Sequence, residues 1–217
     1  VALQESGFKV VVFDNLSNST TDSLYGIERI TGTRPEFVQI DCTDLSALRD
    51  AFSRHSDAVG VIHFAALKAV GESVQHPLLY YRNNLVGLMN VLLCMTEFEI
   101  PSIVFSSSAT VYGVPETLPV TEDTPLQPAT SPYGQTKVIG ETIVRDCVAA
   151  NPKMRATLLR YFNPIGAHPS GFIGENPSGI PNNLMPYITQ TAAGIRPILR
   201  VFGNDYDTHD GTGVRDY

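Results

Sequence analysis

The sequence has few cysteines and histidines, and their placement argues against a disulfide framework and a metal centre. Its cysteines, Cys42, Cys94 and Cys147, are odd in number, lie far apart and show no Cys-x-x-Cys spacing. Such cysteine usage is typical of a reducing compartment. The five histidines are scattered and form no metal-ligand motif. We therefore predict a cytoplasmic protein without a bound metal.

A basic run, a long apolar run and a signal peptide are also absent. The 217 residues carry a formal net charge of -7, which argues against nucleic acid or an anionic membrane as a partner. No apolar segment approaches the ~20 residues that a membrane-spanning helix needs, and the first residues do not resemble a secretory signal. Because 43% of the residues are hydrophobic, an ordinary globular core is predicted.

A glycine-rich nucleotide-binding loop is missing as well. Residues 9–13 predict a buried strand that ends at Asp14, where the second strand of a dinucleotide-binding fold holds the adenosine ribose. The glycine-rich fingerprint belongs about 20 residues before that acid, which places it ahead of Val1. We therefore expect a fragment that lacks its first strand and glycine-rich loop and is cut again at Tyr217.

Strands and helices alternate along the chain. Predicted strands lie at 9–13, 36–40, 58–64, from 103 onward and at 156–160, and predicted helices at 22–30, 43–54, 77–98 and 132–150. This alternation is typical of an α/β fold with a doubly wound parallel sheet. After residue 163 the pattern degrades into Gly, Pro and Asn. We predict a Rossmann-like dinucleotide-binding domain over residues 1–162 and the start of a smaller, truncated substrate-binding domain over residues 163–217.

Tyr133 and Lys137 are the strongest catalytic candidates. Residues four apart on a helix share one face. Ser131 is a good N-cap and Pro132 a good first helical residue, so Tyr133 is predicted in the first turn. An ammonium group beside a phenol favours the phenolate, as does the positive end of the helix dipole. The pair therefore predicts a tyrosine base, although any helix can carry Tyr and Lys at this spacing.

A serine segment, Ser106–Ser108, ends the apolar run that begins at Ile103. A buried parallel strand ends in this way at the carboxyl edge of its sheet, where ligands bind. Hydroxyl clusters after strands can also be turn residues only. The combination with the Tyr133 helix favours a catalytic site.

Other candidates follow the predicted strands. Asp14 can accept hydrogen bonds from both ribose hydroxyls and would repel a 2'-phosphate, which favours NAD over NADP. Asp41 could bind the adenine amino group or cap the following helix. The small residues within 64–68 allow backbone to approach a pyrophosphate. Asn83 and Asn84 are unfavourable inside a helix, which indicates bonding to a strand-end loop or a solvated helix face.

Longer motifs carry a family resemblance. They are residues 61–73, 105–113, 160–164, 179–187 and 202–217, together with Ser108, Tyr133 and Lys137. The chain resembles the UDP-hexose 4-epimerases of the extended short-chain dehydrogenase/reductase family. It departs from that pattern in the missing glycine fingerprint and in Ala65-Ala66, where the family usually has Ala-Gly.

The resemblance implies two sets of binding residues. The NAD-binding set is Asp14, Asn15, Leu16, Ser17, Asn18, Ser19, Asp41, Cys42, Phe64, Ala65, Ala66, Leu67, Lys68, Asn83, Ser108, Tyr133, Lys137 and Phe162. The UDP-sugar set is Ser108, Tyr133, Asn163, Asn183, Leu184, Arg200, Val201, Phe202 and Arg215. Arg215 can pair with a diphosphate and Phe202 can line the uridine.

The implied activity is the NAD-dependent interconversion of UDP-galactose and UDP-glucose in galactose metabolism. It proceeds by transient oxidation at sugar carbon 4, with Tyr133 as the base, Lys137 lowering its pKa and Ser108 donating to the 4-oxygen. Two alternatives remain: a nucleotide-sugar 4,6-dehydratase, although Ala109-Thr110 supplies no carboxylate after the serines, and a non-catalytic NAD-binding homologue. The resemblance also allows a homodimer.

Overall fold

The computed structural model describes residues 1–177, 179–181 and 183–214. The chain divides into two compact units. The larger unit contains Val12–Asn15 and Phe37–Phe162, and the smaller unit contains Val1–Val11, Leu16–Glu36 and the chain from Asn163 onward.

Regular structure follows the predicted alternation closely. In chain order the elements are α1 (Ala2–Glu5), β1 (Val11–Asp14), α2 (Asp22–Thr31), β2 (Glu36–Gln39), α3 (Leu45–Ser53), β3 (Val61–His63), α4 (Val70–Gln75), α5 (Pro77–Tyr81), a π-helical turn (Arg82–Val86), α6 (Gly87–Glu97), β4 (Ser102–Ser108), a 3-10 turn (Ala109–Tyr112), α7 (Pro132–Ala150), β5 (Arg155–Tyr161) and α8 (Leu184–Ala192). The α/β class is confirmed.

The predicted Rossmann-like arrangement is confirmed, with the strands of the described residues paired in two groups. Strands β3, β4 and β5 pair in that order, all parallel, and Phe105 on β4 lies between His63 and Leu158. Strands β1 and β2 form a separate two-stranded sheet. In a doubly wound order another strand lies between these two groups, and none of the described residues forms it.

Local signals account for the start of helix α7. Ser131 has an extended backbone, and its hydroxyl accepts a hydrogen bond from the Gly134 N–H at 3.1 Å. Pro132 occupies the first helical position, where no N–H partner is needed. Tyr133 therefore lies in the first turn, as the sequence predicted.

The predicted helix from Pro77 to about Phe98 is present, but it is interrupted. A π-helical turn at Arg82–Val86 separates α5 from α6. Such turns add a residue to a helix and are frequent at functional sites. Here the turn contains Asn84, whose buried side chain bonds outside the helix, and this tertiary bond was not readable from helical periodicity.

The core of the larger unit surrounds strand β4. Ile103 and Phe105 on β4 pack with the buried side chains of Leu48, Ala51, Leu88, Cys94, Met95 and Val144 from helices α3, α6 and α7. Gly140 of α7 packs directly against Phe105, because a Cβ atom on it would lie 2.7 Å from the ring. This close packing places α7 tightly over β4. None of the described helices has the length and hydropathy to cross a membrane.

In the smaller unit, helix α2 packs against the chain that follows Asn163. The Arg29 guanidinium lies 3.7 Å from the centre of the Phe172 ring, which is a cation–π contact. Gly26 faces Phe172 as well, and a Cβ atom there would collide with its carbonyl oxygen. The absence of a side chain at Gly26 therefore permits this contact.

Candidate active site

Helix α7 and the serine segment at the end of β4 form the centre of the site. Tyr133, Lys137 and Glu141 are spaced four residues apart along α7, so they share one face of the helix. Each of the three interacts with one residue of Ser106–Ser108. The sequence predicted the first two of these helical residues and missed the third.

Tyr133 lies close enough to Ser108 for the two hydroxyls to interact, and Ser108 is itself buried, with its Oγ accepting from the Thr110 N–H at 3.2 Å. Burial raises the pKa of the Tyr133 phenol above its ordinary value of 10, and the hydrogen bond with Ser108 lowers it, but by less. Burial disfavours the phenolate because the charged form loses its water. In the protein by itself the phenol is therefore harder to ionise than the Tyr-Lys spacing indicated.

Lys137 is 5% exposed and is hydrogen-bonded directly to the serine segment. Its Nζ donates to the Ser106 carbonyl oxygen at 2.6 Å and lies 5.8 Å from the centre of the Tyr133 ring. Burial lowers its pKa to about 8. The amine thus links α7 to β4 and places its charge near the phenol.

Glu141 is fully buried and collects four hydrogen bonds. Its Oε1 accepts from Ser107 Oγ at 2.5 Å and Arg160 Nε at 2.9 Å, and its Oε2 accepts from Arg160 Nη2 at 2.9 Å and Arg145 Nη2 at 2.7 Å. Burial alone would raise the pKa of this carboxyl, but these partners hold it below its ordinary value. The eight-residue spacing from Tyr133 was the signal that could have found it.

The loop after β3 is held by the π-helical turn. Asn84 Oδ1 accepts from the Leu67 N–H at 2.8 Å, and its Nδ2 donates to the Leu67 carbonyl at 2.9 Å and to Thr136 Oγ1 at 3.1 Å. The predicted bond from this asparagine pair to a strand-end loop is confirmed for Asn84, whereas Asn83 donates to Asn84 at 3.0 Å. One side chain therefore connects residues 64–68 to α7.

Tyr80 holds the same loop from helix α5. It is fully buried, and its hydroxyl donates to Glu72 at 2.6 Å and accepts from the Ala69 N–H at 3.1 Å. The loop that carries the predicted residues Phe64 to Lys68 is thus fixed from both sides. The hydrogen bonds of Tyr80 to this loop were not predicted from the sequence.

Asp14 and Asp41 end neighbouring strands of the larger unit. Asn15 Nδ2 donates to Asp41 Oδ2 at 3.2 Å. Asp41 Oδ1 accepts from the N–H of Thr43 at 2.8 Å and from its hydroxyl at 2.7 Å, and these bonds lower the pKa of Asp41. Asp41 therefore stabilises the turn before α3, while its Oδ2 contacts Asn15. The predicted capping role is wrong, because the N-cap of α3 is Asp44, whose side chain accepts from the Ala47 N–H at 3.0 Å.

The remaining predicted cofactor residues follow different strands, with Phe64 directly after β3 and Phe162 directly after β5. Burial raises the pKa of the Cys42 thiol to about 11, and its carbonyl accepts from Asn90 at 2.9 Å. Phe64 is 61% and Phe162 43% exposed. Leu16 has a positive φ of 57°, and Leu16, Ser17, Asn18 and Ser19 belong to the smaller unit.

The predicted sugar-nucleotide residues beyond the serine segment lie in the smaller unit. Asn183 is the N-cap of α8, and its Nδ2 donates to Glu175 at 2.7 Å. Leu184 begins that helix, and Arg200, Val201 and Phe202 are exposed and irregular. Asn163 begins the segment. Arg215 lies outside the described residues.

The described residues contain no group of three His, Cys, Asp or Glu side chains that could hold a metal ion. The chemistry that their geometry offers is acid–base chemistry by a phenol, supported by a hydroxyl and an amine. It lies at the carboxyl end of a parallel strand, where α/β proteins bind ligands.

Comparison with known proteins gives consistent matches along the whole chain. A family model described as GDP-mannose 4,6 dehydratase matches residues 1–217. The chain is 54% identical to UDP-glucose 4-epimerase of Dictyostelium discoideum and 56% identical to that of Bacillus subtilis, over all of this chain in both cases. It spans 62% and 63% of the length of those two curated relatives.

Solved structures agree with these relatives. The crystal structure of UDP-glucose 4-epimerase from Bifidobacterium longum in complex with NAD+ and UDP matches with a TM-score of 0.94 and 47% identity. That match covers 100% of this chain and 64% of the other. Together, the matched family model, the relatives and the shared fold show that this chain belongs to the GDP-mannose 4,6 dehydratase family, within the extended short-chain dehydrogenases/reductases.

Proposed function

We propose that the whole protein is an NAD-dependent UDP-glucose 4-epimerase, which interconverts UDP-galactose and UDP-glucose by transient oxidation at sugar carbon 4. The observation that carries this proposal is the arrangement of Ser108, Tyr133 and Lys137 at the end of β4. The relatives that match over the full chain are UDP-glucose 4-epimerases, which supports the same assignment.

The residues of the larger unit fit NAD by their donor and acceptor chemistry. Asp14 ends β1 and can accept from ribose hydroxyls, and its charge disfavours the 2'-phosphate of NADP. Asn15 follows it directly and donates to Asp41, which lies two residues after the end of β2. The loop at residues 64–68 is held by Asn84 and Tyr80. Its small residues Ala65 and Ala66 allow the backbone to approach a pyrophosphate. When bound, NAD supplies the oxidation at carbon 4 and its reversal.

Tyr133 moves the proton in this proposal. As phenolate it removes the proton of the sugar 4-hydroxyl, and it returns that proton after the hexose has turned over. Before the sugar binds, the Ser108 hydroxyl favours the phenolate, and with the sugar bound it donates instead to the 4-oxygen. The buried Lys137 amine adds positive charge near the ring and offsets the effect of burial on the phenol.

The hexose must turn between the two proton transfers, so the nucleotide has to be held more firmly than the sugar. We assign this task to Asn163, Asn183, Leu184, Arg200, Val201, Phe202 and Arg215. Amide groups can bond uracil, and arginines can pair with the diphosphate. We accordingly infer an NAD-binding domain over residues 1–162 and the start of a UDP-sugar-binding domain over residues 163–217.

A 4,6-dehydratase is the nearest competing activity, and it is named by the matched family model. Its elimination step requires an additional acid and base beside the serine segment. In this chain Ala109–Tyr112 form the 3-10 turn that follows Ser108, and this turn contains no carboxylate. Glu141 is buried in hydrogen bonds to Ser107, Arg145 and Arg160. These observations favour the epimerase.

Isotope labelling separates the two activities. We expect full-length protein in deuterated water to convert UDP-galactose to UDP-glucose with no deuterium at carbon 4 or carbon 5. The hydrogen of carbon 4 leaves and returns without exchange with solvent, and carbon 5 is never deprotonated. Nuclear magnetic resonance of the product measures both positions.

Deuterium at carbon 5 together with a 4-keto-6-deoxy product would establish the dehydratase instead. As a control, the protein is purified without added nucleotide and denatured, and the released nucleotide is assayed. NADP in place of NAD would contradict the role of Asp14. A full-length, NAD-loaded protein that turns over no UDP-hexose would be the non-catalytic homologue.

We also propose that the protein forms a homodimer in the cytoplasm. Met89 and Leu93, one turn apart on α6, are 41% and 53% exposed, and Leu79 of α5 is 49% exposed. Exposed apolar residues grouped in this way favour a protein contact. The three free cysteines suit a reducing compartment.

Leu93→Glu should shift full-length protein from dimer to monomer in sedimentation experiments, because a charge would be buried at the contact. Leu118→Glu is the matched control, since Leu118 is 80% exposed and lies outside helices α5 and α6. A wild-type protein that stays monomeric at micromolar concentration would disprove the dimer.

A further inference from the structure

A buried carboxylate lies one helical turn beyond Lys137 and takes no part in the proton transfer proposed above. Glu141 is 0% exposed. Burying a carboxylate costs much free energy unless it is paired and fully hydrogen-bonded. Glu141 meets this condition through Arg160, Arg145 and Ser107, so its surroundings hold it in a single position.

One of those bonds reaches the serine segment itself. Ser107 is 2% exposed, and its hydroxyl donates to Glu141 at 2.5 Å. Ser107 lies between Ser106, whose carbonyl accepts from Lys137, and Ser108, which lies beside Tyr133. Three successive residues of β4 therefore interact with residues on three successive turns of α7, namely Tyr133, Lys137 and Glu141.

Arg160 connects Glu141 to the part of the chain that follows Ser108. While its Nε and Nη2 bind Glu141, its Nη1 donates to the Tyr112 hydroxyl at 3.1 Å. Tyr112 is buried and ends the 3-10 turn that starts directly after Ser108. The chain on both sides of Ser108 is thus fixed to one carboxylate, on one side through Ser107 and on the other through Arg160.

We propose that Glu141 is a positioning residue, which acts through Ser107 and Arg160 to hold Ser108 in hydrogen-bonding contact with Tyr133. The proposal rests on the proposed function, because the contact matters only if Tyr133 is the base. The Ser108 Oγ accepts from the Thr110 N–H within the 3-10 turn, so the hydroxyl moves with that turn. Without the bonds from Glu141 and Arg160, Ser108 and the turn could shift relative to Tyr133, and the phenolate would lose a donor.

Other titratable groups surround this contact and must be separated from it. Lys137 lies on the same helix, Tyr80 approaches from α5, and His63 of β3 lies near Lys137. Burial lowers the pKa of His63 to about 4, and burial with the bond to Glu72 raises that of Tyr80. Lys137 titrates near the range of interest, so a probe specific to the phenol is required.

The experiment measures the ionisation of Tyr133 directly in full-length, NAD-loaded protein. The ultraviolet absorbance of the phenolate is followed with pH, and the same background carrying Tyr133→Phe is subtracted. In Ser107→Ala and in Glu141→Gln, we expect the midpoint to rise by about one pH unit, since a lost hydrogen bond to a charged group has about that effect. Turnover at pH 7 should fall about tenfold, with an unchanged KM for UDP-galactose.

Ser107→Ala keeps the Glu141–Arg160 pair and therefore tests the inference even if Glu141→Gln folds poorly. Arg155→Met is the matched control, because Arg155 is exposed on β5, the strand that carries Arg160. Its midpoint should equal that of the wild type.

Wild-type midpoints in both Ser107→Ala and Glu141→Gln would overturn the positioning role, whatever the loss of stability. If the wild-type protein turns over no UDP-hexose, the proposed function fails, and the absorbance titration still decides whether Glu141 controls the Ser108–Tyr133 contact.

Discussion

Tyr133→Phe should lower the turnover of full-length protein with UDP-galactose by a factor of about 10² or more, because general base catalysis contributes about that much. The substitution removes the oxygen that takes the proton from the sugar. It keeps the ring, so the packing of the first turn of α7 should be retained. Steady-state kinetics give the turnover, and calorimetry gives the affinity for UDP, which should not change.

Tyr25→Phe provides the control for this variant. Tyr25 lies on α2 in the smaller unit and is 52% exposed, so loss of its hydroxyl should leave turnover unchanged. If Tyr133→Phe retained nearly full turnover, Tyr133 would not be the base, and the proposed mechanism would be wrong.

Arg160→Met should destabilise the protein by about 3–5 kcal/mol, which is typical when a buried carboxylate loses its partner. Glu141 would keep only Ser107 and Arg145, and the Arg145 side chain is half-exposed. Urea unfolding at pH 7 measures the loss. Arg155→Met, at an exposed position on the same strand, should change stability by less than about 0.5 kcal/mol.

The loss in Arg160→Met should depend on pH in a defined direction. The pKa of Glu141 in the folded protein lies below its ordinary value of 4.5. A carboxyl with a lowered folded pKa contributes stability above its unfolded pKa and loses it as pH falls through the folded value. Glu141 also becomes neutral in the variant on acidification, so the difference from the wild type should shrink towards pH 4. An equal loss at pH 4 and pH 7 would show that lost packing, and not charge, is responsible.

Features that depend on neighbours in the chain were predictable from the sequence. Ser131 and Pro132 start α7 because capping and proline geometry act within one turn. The spacing of Tyr133 and Lys137 placed both on one helix face, and the serines after Ile103 marked the carboxyl end of a buried strand. The family followed from the same local motifs, and its matched model confirms it.

Features that join distant parts of the chain required the structure. Arg160 reaches Glu141 across 19 residues, and Asn84 reaches Thr136 across 52. No local propensity encodes such bonds, because each partner is acceptable elsewhere on its own element. The sequence indicated that Asn83 and Asn84 could bond to a strand-end loop, but the π-helical turn was not predicted, because it depends on the bonds of Asn84 to Leu67 and Thr136.

The ionisation of Tyr133 shows the same division. Sequence alone determined that a lysine would share its helix face, which indicated a lowered pKa. The tertiary structure decided how deeply both groups are buried, and burial raises the pKa of the phenol while Ser108 only partly opposes it. Desolvation depends on every atom that packs around a group, whereas spacing along a helix depends only on that helix. For this protein the sequence by itself therefore determined the family, the helix and the spacing of Tyr133 and Lys137 on one helix face, and only the tertiary structure decided their electrostatic environment and the Glu141 network beside them.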